Sequence, residues 1–217
     1  MKNSKLRRAL LLVACAVLLV SLSVGATLAY LTYETEEVKN TFTVGSVQID
    51  LDEAKVTEYG ALVDGADRVK ANVYKLLPGH AYTKDPQVHV ISGSEPAYIR
   101  ILVEITDVAD LAAACGVAVA DFKPENFVEG WNESYWPCYS MTVENNVCKL
   151  EFRYNGIVDA RNAQVDLLPL FNTIKVPGTA TNEQIAALSN MEINIIAHAI
   201  QADGFATADD AWAKWSN

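Results

Sequence analysis

The chain has 217 residues and carries 17 basic against 27 acidic side chains, a net charge of −10 at pH 7. A surface of that sign repels nucleic acid and anionic lipid, so neither is expected as a partner. Apolar residues form 51% of the sequence, which supplies a packed core and excludes global disorder.

The N-terminal segment has the layout of a secretory signal peptide. Four basic residues among the first eight precede residues 9–33, which contain no charged side chain. Small residues at the end of the apolar run suit a signal peptidase, so we predict a signal peptide over residues 1–29, cut between Ala29 and Tyr30. Removing it takes away four basic and no acidic residues, which leaves 13 basic and 27 acidic side chains and a net charge of −14.

Two alternatives for this segment also place the body outside the cytoplasm. The uncharged run is long enough to span a bilayer, which needs about 20 residues, and would then stay as an uncleaved anchor. The residues before Cys15 look like a lipobox, although Cys15 lies inside the apolar run and is more simply one of its small residues. The membrane is expected to be met only by the N-terminal segment.

The rest of the chain is predicted to be an exposed leader over residues 30–40 and one β-rich domain over residues 41–217. Residues 41–52 show the alternation of a strand. The apolar residues fall on even positions before Gly45 and on odd positions after it, and a bulge at Gly45 would keep both sets of apolar residues on one face. A long polar loop follows over residues 53–72.

The middle of the domain shows the clearest strand patterns. A short strand is predicted over residues 87–91. Residues 97–106 alternate apolar and polar side chains strictly, which indicates a half-buried antiparallel strand. An alanine-rich helix is expected over residues 107–119, ending near Gly116, and an irregular aromatic segment over residues 121–137.

A hairpin is predicted over residues 139–154, with Asn145-Asn146 as its two-residue turn. That register places Val143 opposite Cys148, Met141 opposite Leu150 and Tyr139 opposite Phe152, and it separates Cys138 too far from Cys148 for a disulfide. Cys115 would be the better partner for either cysteine, but an odd count of three after the signal leaves the pairing open.

The last third contains an apolar segment over residues 167–176, a capped helix from Thr181 to Leu188, a central strand over residues 191–202 and a final helix that starts at Thr207 and packs Trp212 and Trp215. Many short strands with turn signals and few short helices predict a mainly β fold, a jelly-roll-like antiparallel β-sandwich.

Several segments resemble the TasA/camelysin family of Gram-positive bacteria. The resemblance is carried by residues 25–32 (GATLAYLT) and 40–50 (NTFTVGSVQID), and is extended by residues 78–100, 170–177 and 197–202. It implies a jelly roll processed by a SipW-type signal peptidase and secreted to the cell surface or biofilm matrix. It also implies fibres built by strand donation, in which Tyr30 to Val44, with Phe42 and Val44 as strand residues, would complete the sheet of a neighbouring subunit.

Camelysin-type relatives are classed as metallopeptidases, so an extracellular metal-dependent endopeptidase is one alternative. The sequence has no HExxH motif, and His80, His89 and His198 lie in no zinc-binding pattern. We interpret each as a structural histidine, with a zinc site built from His80 and His89 as the alternative and a surface Ca²⁺ site near Asp50 as another. No residue is predicted to be catalytic, and no cofactor is predicted.

The second alternative is a carbohydrate-binding adhesive module, in which Trp131 and Trp136 would stack on sugar rings. The preferred prediction remains an exported structural protein of the extracellular matrix. Its expected partners are other copies of itself or related matrix subunits, and a signal peptidase during export.

Overall fold

The computed structural model describes residues 4, 6–17 and 45–215. Two compact units, Met1–Thr43 and Val44–Asn217, divide the chain. In the first unit, residues 6–17 form helix α1. No helix among the described residues is both long and apolar enough to cross a bilayer. The predicted cleavage between Ala29 and Tyr30, the leader and the donor residues Phe42 and Val44 lie outside the described residues.

The second unit is built mainly from short strands. Its strands are β1 (Ile49–Asp52), β2 (Ala81–Thr83), β3 (Gln87–Val90), β4 (Ser94–Ile105), β5 (Val128–Glu129), β6 (Cys138–Glu144), β7 (Val147–Arg153), β8 (Val158–Ala160), β9 (Val165–Asp166), β10 (Thr173–Lys175) and β11 (Ile193–Gln201). Its α-helices are α2 (Val108–Ala114), α3 (Asn182–Ala187) and α4 (Ala208–Trp212).

The strands form three sheets. The largest has the order β11-β4-β7-β6, with β8 also paired to β4, and the two smaller ones have the orders β1-β3-β9 and β2-β10-β5. Every pair is antiparallel. The domain is therefore mainly β with antiparallel sheets and a few short helices, as predicted, and its sheets are compatible with a sandwich. The jelly-roll topology stays a prediction.

The core follows from the alternation along β4. Its inward residues are all buried, at most 5% exposed: Ala97, Ile99, Ile101, Val103 and Ile105. They join one apolar cluster with Val88 and Val90 of the β1-β3-β9 sheet, which are fully buried. Because successive side chains of a strand point to opposite faces, the predicted pattern of this segment and its burial agree.

The hairpin of β6 and β7 has the predicted turn, but its register differs from the prediction at the end away from the turn. Asn145 and Asn146 adopt φ values of 51° and 63°, as a type I′ turn requires, and Val143 pairs with Cys148 as expected. The pairing of Tyr139 with Phe152 is wrong. A bulge shifts the register between Cys138 and Ser140, so that Cys138 faces Phe152 and leaves Tyr139 without a partner residue.

Helix α2 is shorter than predicted and receives part of its N-terminal cap from that hairpin. Asp107 precedes it with a φ of 52° and makes no side-chain cap bond. Instead, Val108 N–H donates to the Asn146 carbonyl at 3.1 Å and Ala109 N–H to Asn146 Oδ1 at 2.9 Å. Helix α3 has the predicted capping box, in which Thr181 and Gln184 bond reciprocally.

Two strand predictions need correction. The described part of the first strand begins at Ile49. The Gln48 N–H bonds to Ser94 Oγ at 3.0 Å, and the Gln48 carbonyl accepts from Ile91 N–H at 2.9 Å. Strand β11 was expected at the centre of a sheet and lies at an edge. Its apolar residues on both parities have another cause: one face packs on the main core, and the other, around Ile200, packs under α4.

Candidate functional site

Strand β11 presents a backbone edge that pairs with no second strand among residues 45–215. It is nine residues long and lies at the end of the five-stranded sheet. Within residues 45–215 its backbone pairs only with β4. Its sequence, INIIAHAIQ, contains no acidic residue, lysine, arginine, proline or glycine. Free edges are normally protected by such residues, so this edge is suited to pair with a further strand.

The other sheet edges carry the protection that β11 lacks. Strand β6, at the opposite edge of the same sheet, has the bulge at Tyr139 and ends at Glu144. Strand β1 carries Asp50 and Asp52, and β2, β5 and β9 have only two or three residues each. Bulges, charges and short length all discourage intermolecular pairing. The contrast singles out β11 within the described part of the chain.

The side chains of β11 would also suit a strand in the interior of a sheet. Ile193, Ile195, Ala197 and Ala199 contact the main core while remaining partly exposed. On the opposite face, Ile196 is 54% exposed. A strand added beside β11 would cover apolar surface as well as pair backbone groups, and both contributions favour association.

A groove of about 700 Å³ opens beside the first residues of β11. Its walls come from residues 71–74 and 76, from Ile185 and residues 188–194, and from Lys84 and Ile174. Lys84 Nζ bonds to Glu53 Oε2 at 2.5 Å in a buried ion pair, and Asn72 Nδ2 donates to Glu53 Oε1 at 3.0 Å. These contacts fix the wall that begins at residues 71 and 72, the last two residues of the loop predicted over residues 53–72.

Tyr74 joins the same wall. Its hydroxyl donates to the Thr83 carbonyl at 3.1 Å, and the Lys84 ammonium lies 5.8 Å from its ring centroid. Burial, with Glu53 as a further cause, raises the pKa of the Tyr74 phenol, so this hydroxyl stays protonated. The groove therefore has a fixed, largely neutral lining beside an open strand edge.

His89 lies between two carboxylates. Its Nδ1 is 2.7 Å from Asp166 Oδ1 of β9, and its Nε2 is 3.0 Å from Asp52 Oδ1 of β1. Arg68 Nε also donates to Asp52 at 2.5 Å. Burial lowers the pKa of His89, but the two carboxylates outweigh it and the net shift is upward. Both ring nitrogens can donate only in the imidazolium form, which ties β1, β3 and β9 together.

His80 is engaged elsewhere. Its Nε2 lies 2.7 Å from the Tyr59 carbonyl oxygen, and its ring packs edge-on against Tyr82 with centroids 4.6 Å apart. Among the described residues, no group of three or more His, Cys, Asp or Glu side chains is arranged to hold a metal ion. The structure thus gives no support to a joint site of His80 and His89, and the zinc and Ca²⁺ alternatives stay predictions.

The tryptophans proposed for sugar stacking have structural contacts. Trp136 is fully buried, and its Nε1 donates to the Leu168 carbonyl at 2.8 Å, so it offers no ring face to a ligand. Trp131 is partly buried against Phe152, with ring centroids 5.5 Å apart, and its Nε1 donates to the Trp136 carbonyl at 2.9 Å.

The cysteines of the second unit are all free thiols. Burial raises the pKa of Cys115 and of Cys148 to about 11, so neither forms a thiolate near neutral pH. Burial also raises the pKa of Cys138, whose Sγ contacts the Ser140 carbonyl at 3.6 Å. None of the three has the low pKa that a nucleophilic cysteine requires.

Sequence reasoning missed the open edge because the apolar residues on both parities of β11 are also the pattern of a central strand. The absence of every protective residue type from that segment was the available signal. Comparison with protein-family models, with curated proteins and with solved structures finds no match for this chain.

Proposed function

We propose that this chain is an exported structural protein of the extracellular matrix of a Gram-positive bacterium, and that it self-associates by strand addition at β11. The observation that carries the proposal is the long, uncharged and unprotected edge of β11 within the described residues. Main-chain hydrogen bonds along such an edge supply affinity, and alternate side chains supply specificity.

The proposed occupant is the N-terminal segment of a second copy, residues 30–44. Its last seven residues, Val38 to Val44, contain one charge, Lys39, and place Phe42 and Val44 on one parity. Extended at about 3.3 Å per residue, they would span about 23 Å, most of the length of β11. The groove at the start of β11 gives room for the donor beyond the strand.

Electron microscopy and sedimentation of the exported form, beginning at Tyr30, test the proposal. We expect filaments that disappear when residues 30–44 are deleted. Ile196→Lys adds a charge beside the edge at a side chain that is already 54% exposed, and should also abolish them. Ile157→Lys is the matched control, because Ile157 is likewise 54% exposed but precedes β8.

Two results would oppose the proposal. A monomer at high concentration, across pH and with added Ca²⁺, would count against self-association. Filaments that persist after the deletion and in Ile196→Lys would show that another surface assembles. Zinc-dependent peptide cleavage, or glycan binding lost in Trp131→Ala, would favour one of the two alternative functions instead.

A further inference from the structure

The C-terminal segment over residues 207–215 covers part of the outer face of the five-stranded sheet. Its helix α4 buries Trp212, 5% exposed, against Tyr98 of β4 in an apolar cluster separate from the main core. Ile200 of β11 and Trp215 pack against that cluster. This face of a sandwich would otherwise be open to solvent, so the segment acts as a cover.

The guanidinium group of Arg100 contacts this C-terminal segment. The Arg100 guanidinium lies 4.4 Å from the Trp212 ring centroid and 5.3 Å from that of Trp215. Arg100 Nε donates to His198 Nδ1 at 3.2 Å. The His198 ring in turn stacks on Trp215, with centroids 4.6 Å apart and an interplanar angle of 20°. Arg100 and His198 are paired residues of neighbouring strands, so the sheet itself sets their distance.

The hydrogen bond from Arg100 requires a neutral His198. An arginine has only donors, so His198 Nδ1 must offer a lone pair, and its proton must lie on Nε2. Protonation at Nδ1 removes the acceptor and places a second positive charge against the guanidinium. The imidazolium would gain attraction to Trp215, but Arg100 already occupies the same aromatic surface.

The surrounding charges do not cancel this repulsion. On β7, Glu151 Oε1 lies 3.6 Å from Arg100 Nη1 and accepts a bond from Arg153 Nε at 2.6 Å. On α4, Asp209 Oδ1 bonds to Arg153 Nη1 at 2.5 Å. Both carboxylates are thus engaged by Arg153, and β11 adds no other charged side chain.

We propose that residues 207–215 form a pH-dependent clasp, closed over the sheet while His198 is neutral and released when His198 is protonated. Release exposes the apolar surface of Tyr98 and Ile200. Within the described part of the chain, the buried Trp212 Nε1 has no hydrogen-bond partner, which disfavours the closed clasp.

The pKa of His198 is shifted in the direction that its hydrogen bond from Arg100 requires. Burial is the largest cause that lowers the pKa of His198, Arg100 lowers it further, and Glu151 opposes them. A folded-state pKa below the unfolded value of about 6.5 means that the closed form is fully favoured above pH about 6.5. Its advantage is then lost as the pH falls through the folded-state pKa.

Nuclear magnetic resonance of the purified protein tests the clasp through the indole N–H signals of its tryptophans between about pH 7.5 and about pH 4.5. We expect the signals of Trp212 and Trp215 to change together with His198, at a midpoint below about 6.5. Those of Trp131 and Trp136, which belong to the main core, should stay constant. In His198→Gln, which keeps an acceptor but cannot titrate, the transition should vanish.

Two further variants complete the design. His89→Gln alters the histidine of the β1-β3-β9 sheet and should leave the transition of Trp212 unchanged. Arg100→Met removes the neighbouring cation and should raise the midpoint of His198. A transition that persists in His198→Gln, a His198 midpoint at or above about 6.5 in the unaltered protein, or simultaneous changes at Trp131 would each overturn the proposal.

Discussion

The buried ion pair beside the groove offers the clearest stability experiment. The side chains of Lys84 and Glu53 are 9% and 6% exposed, and their charged atoms are 2.5 Å apart. Lys84→Met keeps most of the apolar stem but leaves the Glu53 carboxylate buried, with Asn72 Nδ2 as its remaining side-chain partner at 3.0 Å. Removing one partner of a buried pair costs about 3–5 kcal/mol of unfolding free energy.

The same region contains a matched exposed pair. Lys70 bonds to Asp50, but their side chains are 65% and 51% exposed. Lys70→Met should cost about 0–1 kcal/mol, because solvent screens surface ion pairs. For a domain of this size, 1 kcal/mol corresponds to about 2–4 °C in melting temperature. Lys84→Met should therefore melt about 6–20 °C lower than the unaltered protein, and Lys70→Met at most about 4 °C lower.

Urea denaturation and calorimetry of both variants measure these differences. The double variant Lys84→Met with Glu53→Leu should recover most of the loss, because no charge is then left buried. Equal melting temperatures for Lys84→Met and Lys70→Met would refute the reasoning. That result would mean that the Glu53 carboxylate is hydrated or protonated without a loss of unfolding free energy, and that solvent reaches it through the wall of the groove.

Three further outcomes are expected. His89 should contribute to the unfolding free energy fully below pH about 6.5, and this contribution should be lost as the pH rises through its raised folded-state pKa. Urea denaturation of His89→Gln across that range should show no such dependence of the unfolding free energy on pH. An unchanged dependence would exclude the imidazolium bridge. Trp136→Ala should lower the unfolding free energy by about 3–5 kcal/mol, measured by urea denaturation, and a loss below about 1 kcal/mol would contradict its burial. Asn146→Ala should cost about 1–2 kcal/mol more than Asn146→Gly, because alanine adopts the φ of 63° less readily; equal melting curves would argue against the type I′ turn.

Local patterns in the sequence were sufficient where one element decides its own structure. The alternation along β4, the Asn145-Asn146 turn and the capping box at Thr181 each depend on residues close together in the chain. In each case neighbouring residues are sufficient to specify the local conformation, and the structure confirms the prediction.

Contacts between distant segments could not be inferred in this way. The bulge at Tyr139 lies in the pairing of β6 with β7 far from their turn, and the turn residues do not specify it. The position of β11 at an edge depends on whether a second strand pairs with it, and among residues 45–215 none does. The contact of Arg100 with the two tryptophans of the last segment joins residues about a hundred positions apart. Such pairings are tertiary, and they override local propensity.

The cap that Asn146 provides to α2 makes the stability of this helix depend on the hairpin. Helix α2 has seven residues, fewer than the roughly 12–15 that an isolated helix needs. Its first two N–H groups bond to Asn146, which takes its left-handed conformation inside the turn between β6 and β7. We therefore expect α2 to be stable only while the hairpin is formed, and amide protons of α2 should exchange no more slowly than those of the hairpin that caps it.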